Sequence, residues 1–97
     1  MDKRYNPLSP REALQARREL AEQFAADPAI PIPAVIKKIR GALRLTIAEY
    51  AKLCGVSART LQDIEREASS PTLLTAEKLL RPVGMVVGAV VGKGREG

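Results

Sequence analysis

Apolar positions along this chain recur at helical spacing from about residue 10 to residue 84, and then give way to an unbroken valine-rich run. In residues 10–26, Ala13, Ala16, Leu20 and Phe24 line one face, with Ala21 beside them. Ser9-Pro10-Arg11-Glu12 precedes that face with a capping hydroxyl, a proline at the first helical position and a glutamate three residues after the cap. A helix is predicted over Pro10–Ala26, ended by Asp27-Pro28. Pro28, Pro31 and Pro33 restrict the residues before them to extended shapes, so this stretch reads as a short stiff connector. A helix over 34–43 follows, with Val35, Ile36, Ile39, Ala42 and Leu43 inward. Thr72 caps a later helix with Leu73, Ala76, Leu79 and Leu80 inward; Pro82 near its end and Gly84 just after stop it.

Residues 46–66, TIAEYAKLCGVSARTLQDIER, carry the densest set of signals. Thr46 and Glu49 form a capping box, and Ile47, Tyr50, Ala51 and Cys54 then share a face. Ala51 is small where a following helix would cross closely. Gly55 stands where the first helix must stop, because glycine enters the left-handed conformation without a Cβ clash. Val56 plugs the turn and Ser57 caps the next helix. On that helix Leu61 and Ile64 pack back, leaving Ala58, Arg59, Gln62, Asp63 and Arg66 on other faces. Two helices cannot bury their own apolar faces, so others must cover them.

The ordered set Thr46-x-x-Glu49-x-Ala51-x-x-x-Gly55-Val56-Ser57-x-x-Thr60-Leu61-x-x-Ile64-Glu65 resembles the helix-turn-helix of the phage-repressor-like (Cro/cI, XRE) family. With Ser70-Pro71-Thr72 and the Leu73–Gly84 helix, the resemblance covers residues 34–84. It implies an all-α fold: about four core helices, to which this chain adds an N-terminal helix and one C-terminal β-strand. Three regions follow: 1–33, the N-terminal helix and proline-rich connector; 34–84, the DNA-binding domain; and 85–97, a dimerisation strand and basic tail.

The strand is expected at residues 85–91, MVVGAVV, where valine density favours β-structure. Nothing else in the chain reads as a strand to pair with it. The economical partner is the same segment of a second copy, through Met85, Val86, Val87, Ala89, Val90 and Val91. Some small members of the resembled family carry such a strand. A final helix or frayed end is the alternative. Gly84, Gly88 and Gly92 recur as in membrane helix contacts, but the apolar run is about half the length that spans a bilayer.

Charge sharpens the picture. The net charge of the 97 residues is +5, and ninety-seven residues make one core. Residues 1–34 carry five basic and five acidic side chains. Residues 35–66 carry Lys37, Lys38, Arg40, Arg44, Lys52, Arg59 and Arg66 against Glu49, Asp63 and Glu65, and residues 67–97 net +1. Positive charge concentrated on the helix-turn-helix and the helix before it suits a polyanion, although many solvated surfaces are basic.

By position, the resemblance assigns base reading to Ala58, Arg59 and Asp63, with Gln62 beside them. The Arg59 guanidinium can take guanine O6 and N7 together, and Ala58 can touch a thymine methyl. Asp63 can accept from a cytosine amino group or orient Arg59 one turn away. An exposed Arg and Asp four apart can equally be a plain surface pair. Thr46, Ser57 and Thr60 offer hydroxyls to phosphates near helix N-termini, and Lys37, Lys38, Arg44 and Arg66 offer charge. Two positions depart from the family: Ile47 replaces a phosphate-clamping glutamine, and Glu67 replaces a glycine after the second helix. Arg40 and Glu65 hold positions that pair as an interhelical salt bridge in related repressors.

Several chemistries are not supported. There is no histidine and one cysteine, Cys54, on an apolar face, so no usual zinc site, other metal site, cofactor or internal disulfide is expected. No phosphate loop or nucleophile–base pair appears, and the protein is not read as an enzyme. One Phe and two Tyr give little for stacking single-stranded bases. The first dozen residues are polar and charged, so neither a leader nor a membrane role is expected, and a cytoplasmic location is. Two functions stand: a homodimeric repressor on a palindromic double-stranded operator, or an antitoxin that binds a toxin protein and regulates its own operon. The N-terminal helix is either a partner-binding arm or additional core cover.

Overall fold

Four hydroxyl side chains start four of the helices. In the computed structural model, which describes residues 7–92, Ser9, Thr46, Ser57 and Thr72 each accept the backbone N–H three residues on. They open α1 (Pro10–Ala26), α3 (Ile47–Cys54), α4 (Ala58–Glu65) and α5 (Leu73–Leu80). In α1 and α3 the glutamate three residues after the cap returns the bond, so Glu12 and Glu49 complete capping boxes. The Ser9 backbone N–H, and then its hydroxyl, hold the Glu12 carboxyl below its ordinary range.

The remaining helix, α2 (Ile32–Ala42), starts two residues before the expected point. Pro31 is its cap and Pro33 lies in its first turn, where the missing N–H has no helical partner to lose. The stiff connector is therefore shorter than the prolines suggested. After α5, Arg81–Val83 forms a 3₁₀ turn ended by Gly84.

The ends of α2, α3, α4 and the 3₁₀ turn share one device, which α1, ending at Asp27 with φ of -140°, does not use. At Arg44, Gly55, Glu67 and Gly84 the chain turns left-handed, with φ of 56°, 80°, 60° and 74°. At each, that residue and its successor donate to carbonyls of the preceding turn; Glu67 bonds Ile64 and Ala68 bonds Asp63. A Cβ on Gly55 would meet nothing within 4 Å, so conformation rather than space calls for glycine there. Arg44 and Glu67 carry side chains in the same conformation.

The core draws on every helix: Leu20 and Phe24 of α1, Val35, Ile36 and Ile39 of α2, Tyr50, Ala51 and Cys54 of α3, Leu61 and Ile64 of α4, and Leu79 and Leu80 of α5. Helix α1 packs on α2, and α4 packs on both α2 and α3. Tyr50 is fully buried and donates its hydroxyl to the Leu79 carbonyl, tying α3 to α5. Burial pushes the Tyr50 phenol above its ordinary range, with Cys54 adding to it, and burial likewise raises the Cys54 thiol. Three inward assignments fail. Ala21, Ala42 and Leu73 are exposed, Leu73 by 73%, while Leu20, Ile39 and Ala76 on the same helices are buried.

The expected C-terminal β-strand is absent among the described residues. Residues 85–92 form neither strand nor helix. Met85 and Val87 pack against the core while Val86, Val90 and Val91 face outward. Valine favours a strand only where a neighbour accepts its ladder bonds, and no described segment supplies one. The basic tail beyond Gly92 lies outside the described residues, as do residues 1–6.

Candidate nucleic-acid interface

Helix α4 has one buried side and one open side. Leu61, Ile64 and Glu65 are buried; Ala58, Arg59, Gln62 and Arg66 are exposed, with Asp63 half-buried between the two arginines. Leu61 and Ile64 hold the helix on α2 and α3, so its outer side chains project from a fixed support.

That support includes an ion pair. Arg40 Nε donates to Glu65 Oε2 at 2.8 Å and Nη2 to Oε1 at 2.9 Å, a two-pronged contact between α2 and α4. The Arg40 Nη1 also donates to the Leu45 carbonyl at 3.1 Å, reaching the loop before α3. One guanidinium thus joins α2, α4 and the loop before α3. The two charges are side-chain exposed by only 17% and 6%. Arg40 is scaffold, and so is Glu65. Without that pair, residues 35–66 carry six basic against two acidic side chains, still +4.

The N-terminus of α4 presents hydroxyls without a carboxylate. Ser57 Oγ accepts the Thr60 backbone N–H at 3.0 Å and donates to Thr60 Oγ1 at 2.8 Å, which leaves the Thr60 hydroxyl proton free to point outward. No acidic residue lies in the first turn of α4, unlike α1 and α3. An anion there meets the positive end of the helix uncompensated. Thr46 is half-buried and holds the start of α3 through Glu49.

Along the open side, Arg59, Asp63 and Arg66 form one chain. Arg59 Nε lies 3.2 and 3.1 Å from the two Asp63 oxygens, and Arg66 Nη2 lies 3.0 Å from Asp63 Oδ1. The sequence suggested the Arg59–Asp63 contact; the second arginine on the same carboxylate was missed, although its spacing of three was legible.

The other expected phosphate binders lie on or just after α2 rather than on α4. Lys37 and Lys38 are exposed on α2. Arg44 ends that helix and stands near enough to Glu12 to lower its carboxyl slightly, beside the start of α1. Ile47 is half-buried and packs against the core, so it closes the position where a clamp would stand. Among the described residues, no group of His, Cys, Asp or Glu could hold a metal ion, and no helix is long and apolar enough to cross a membrane.

A family model described as helix-turn-helix matches residues 36–85, from the second turn of α2 to the residue after Gly84. The chain belongs to the phage-repressor-like helix-turn-helix family. An immunity repressor protein of Bacillus phage phi105 is 38% identical to it over 58 residues, which is 60% of this chain and 40% of that protein. The chain thus spans less than half the length of this curated relative. No solved structure matches it. In this helix-turn-helix protein the matched region takes in α3, its Gly55 turn and α4, so the DNA-binding motif of the family is the pair described above.

Proposed function

We propose that the protein binds a specific double-stranded DNA site as a homodimer and represses transcription by occupying a promoter. The observation that carries the reading is the outer side of α4, which stays open and basic while its inner side is locked to the core. Arg59 reads a guanine edge in the major groove, with Ala58, Gln62 and Asp63 beside it. Ser57, Thr60 and Arg66 hold phosphates around that contact, and Thr46, Lys37, Lys38 and Arg44 extend the basic surface. Repression is steric and involves no bond chemistry. The phage immunity repressor among its relatives supports this direction of control.

Dimerisation draws support from the C-terminal segment without any strand. Val86, Val90 and Val91 are exposed by 84%, 55% and 92%. Val86 and Val90 line an open apolar groove of about 420 Å³ together with Phe24, Ile30, Val35, Leu80 and Met85. An exposed apolar wall around an open groove is a surface that a two-fold contact can bury, since each copy offers the same patch. Such a pair would present two recognition helices to two half-sites. The alternative is an antitoxin that binds a toxin protein and regulates its own operon, with α1 as a partner-binding arm; the burial of Leu20 and Phe24 supports the other reading of α1, as additional core cover.

Selection of bound fragments from random duplex DNA tests the function directly. The expected product is a palindrome whose half-site contains a guanine that the wild-type protein requires. Arg59→Ala should lose about 1–3 kcal/mol of discrimination at that base pair and leave other positions unchanged. Binding without any sequence preference, or an unaltered preference in Arg59→Ala, would sink the base-reader assignment.

A further inference from the structure

We infer that Asp63 is a positioning residue for DNA reading: its carboxylate fixes Arg59 and Arg66 together, so that one arginine meets a base and the other a phosphate. The inference rests on the proposed reading of Arg59 and deepens it. Asp63 takes the Arg59 Nε, at 3.2 and 3.1 Å from its two oxygens. That leaves Nη1 and Nη2, the outer fork of the guanidinium, for guanine O6 and N7. On Arg66 the same carboxylate takes an Nη2 proton at 3.0 Å, leaving Nε and Nη1 for a phosphate.

The burial gradient has the right sense. The Asp63 side chain is 24% exposed, whereas Arg59 and Arg66 are 78% and 60% exposed. The carboxylate lies low between the arginines and their free ends stand above it. A group placed to accept from a cytosine amino group would stand at the tip rather than the base of the row. Charge agrees as well. A lone carboxylate on this surface would repel phosphates, but Asp63 with two arginines makes a unit of net +1. Pinning two long, flexible side chains before DNA arrives also lowers the rotamer entropy lost on binding.

The test uses the full chain and the duplex selected by the wild-type protein, together with duplexes changed at each half-site position. Wild type, Arg59→Ala, Asp63→Ala, Asp63→Asn and the Arg59→Ala/Asp63→Ala double variant are compared by titration. Asp63→Ala and Asp63→Asn should lower discrimination roughly 3- to 10-fold at the base pair lost in Arg59→Ala. Added to Arg59→Ala, the Asp63 change should cost no further discrimination. Unfolding midpoints should stay near wild type, which separates positioning from a fold effect. Three results overturn the inference: undiminished discrimination in both Asp63 variants, a loss at a different base pair, or full additivity in the double variant. A loss at a neighbouring cytosine would make Asp63 a reader in its own right. If Arg59→Ala keeps full selectivity, the underlying reading fails along with the inference. Loss in Arg59→Ala alone removes only the inference.

Discussion

The Arg40 guanidinium spends its donors on Glu65 and the Leu45 carbonyl, so its charge does not reach solvent as a phosphate binder. Removing it strands the Glu65 carboxylate, 6% exposed, against α2. Arg40→Ala should therefore destabilise the protein by about 3 kcal/mol, measured by urea unfolding at pH 7. Tyr50 and Cys54 give a second residue-scale expectation. Both are held above their ordinary pKa values, 10.0 and 9.0, by burial. The unfolded chain loses those protons first, so stability is full below about pH 9 and falls as pH rises further. Tyr50→Phe should remove the part of that loss that sets in above pH 10. At neutral pH it should cost about 1 kcal/mol, because the Leu79 carbonyl loses its donor. Denaturation series from pH 7 to 11 check both effects.

At the scale of elements, the helix ends decide more than the helix interiors. Ser9, Thr46, Ser57 and Thr72 were all legible as caps, and all four act as caps. The left-handed ends were half legible. Gly55 and Gly84 announced themselves, whereas Arg44 and Glu67 hold the same conformation without glycine. A Cβ in that region carries a steric cost of about 1–2 kcal/mol, part of which glycine returns as extra freedom of the unfolded chain. Glu67→Gly should consequently raise stability by about 0.5 kcal/mol, seen as a higher urea midpoint at unchanged slope. The same change deletes a negative charge just past α4, so DNA binding should tighten, most clearly at low salt. An unchanged midpoint would mean that the Glu67 side chain compensates for its own backbone.

For the whole molecule, α1 packs on α2, and the segment after Gly84 lines the apolar groove together with Phe24 of α1 and Val35 of α2. Val86 and Val90 stand outside the monomer core, so replacing both by aspartate should leave its unfolding midpoint nearly unchanged. It should weaken self-association at least tenfold in sedimentation equilibrium. It should also convert cooperative binding of a two-half-site duplex into two independent events. Undisturbed self-association would assign the dimer contact to another surface.

The amino-acid order alone determined where the helices lie to within about two residues at their starts, four of their caps, the Gly55 turn and the outward side of α4. Each of these depends on residues within about four positions of one another, where spacing and backbone chemistry decide. Tertiary structure decided the rest. It chose which marginal alanines were left in solvent, drew the Tyr50 hydroxyl to Leu79, and bent the Arg44 and Glu67 ends without glycine. It also withheld a strand from the valine run, because β-propensity becomes structure only where a second backbone accepts the hydrogen bonds. Local chemistry writes a helix, but a ladder needs a neighbour that no local pattern contains.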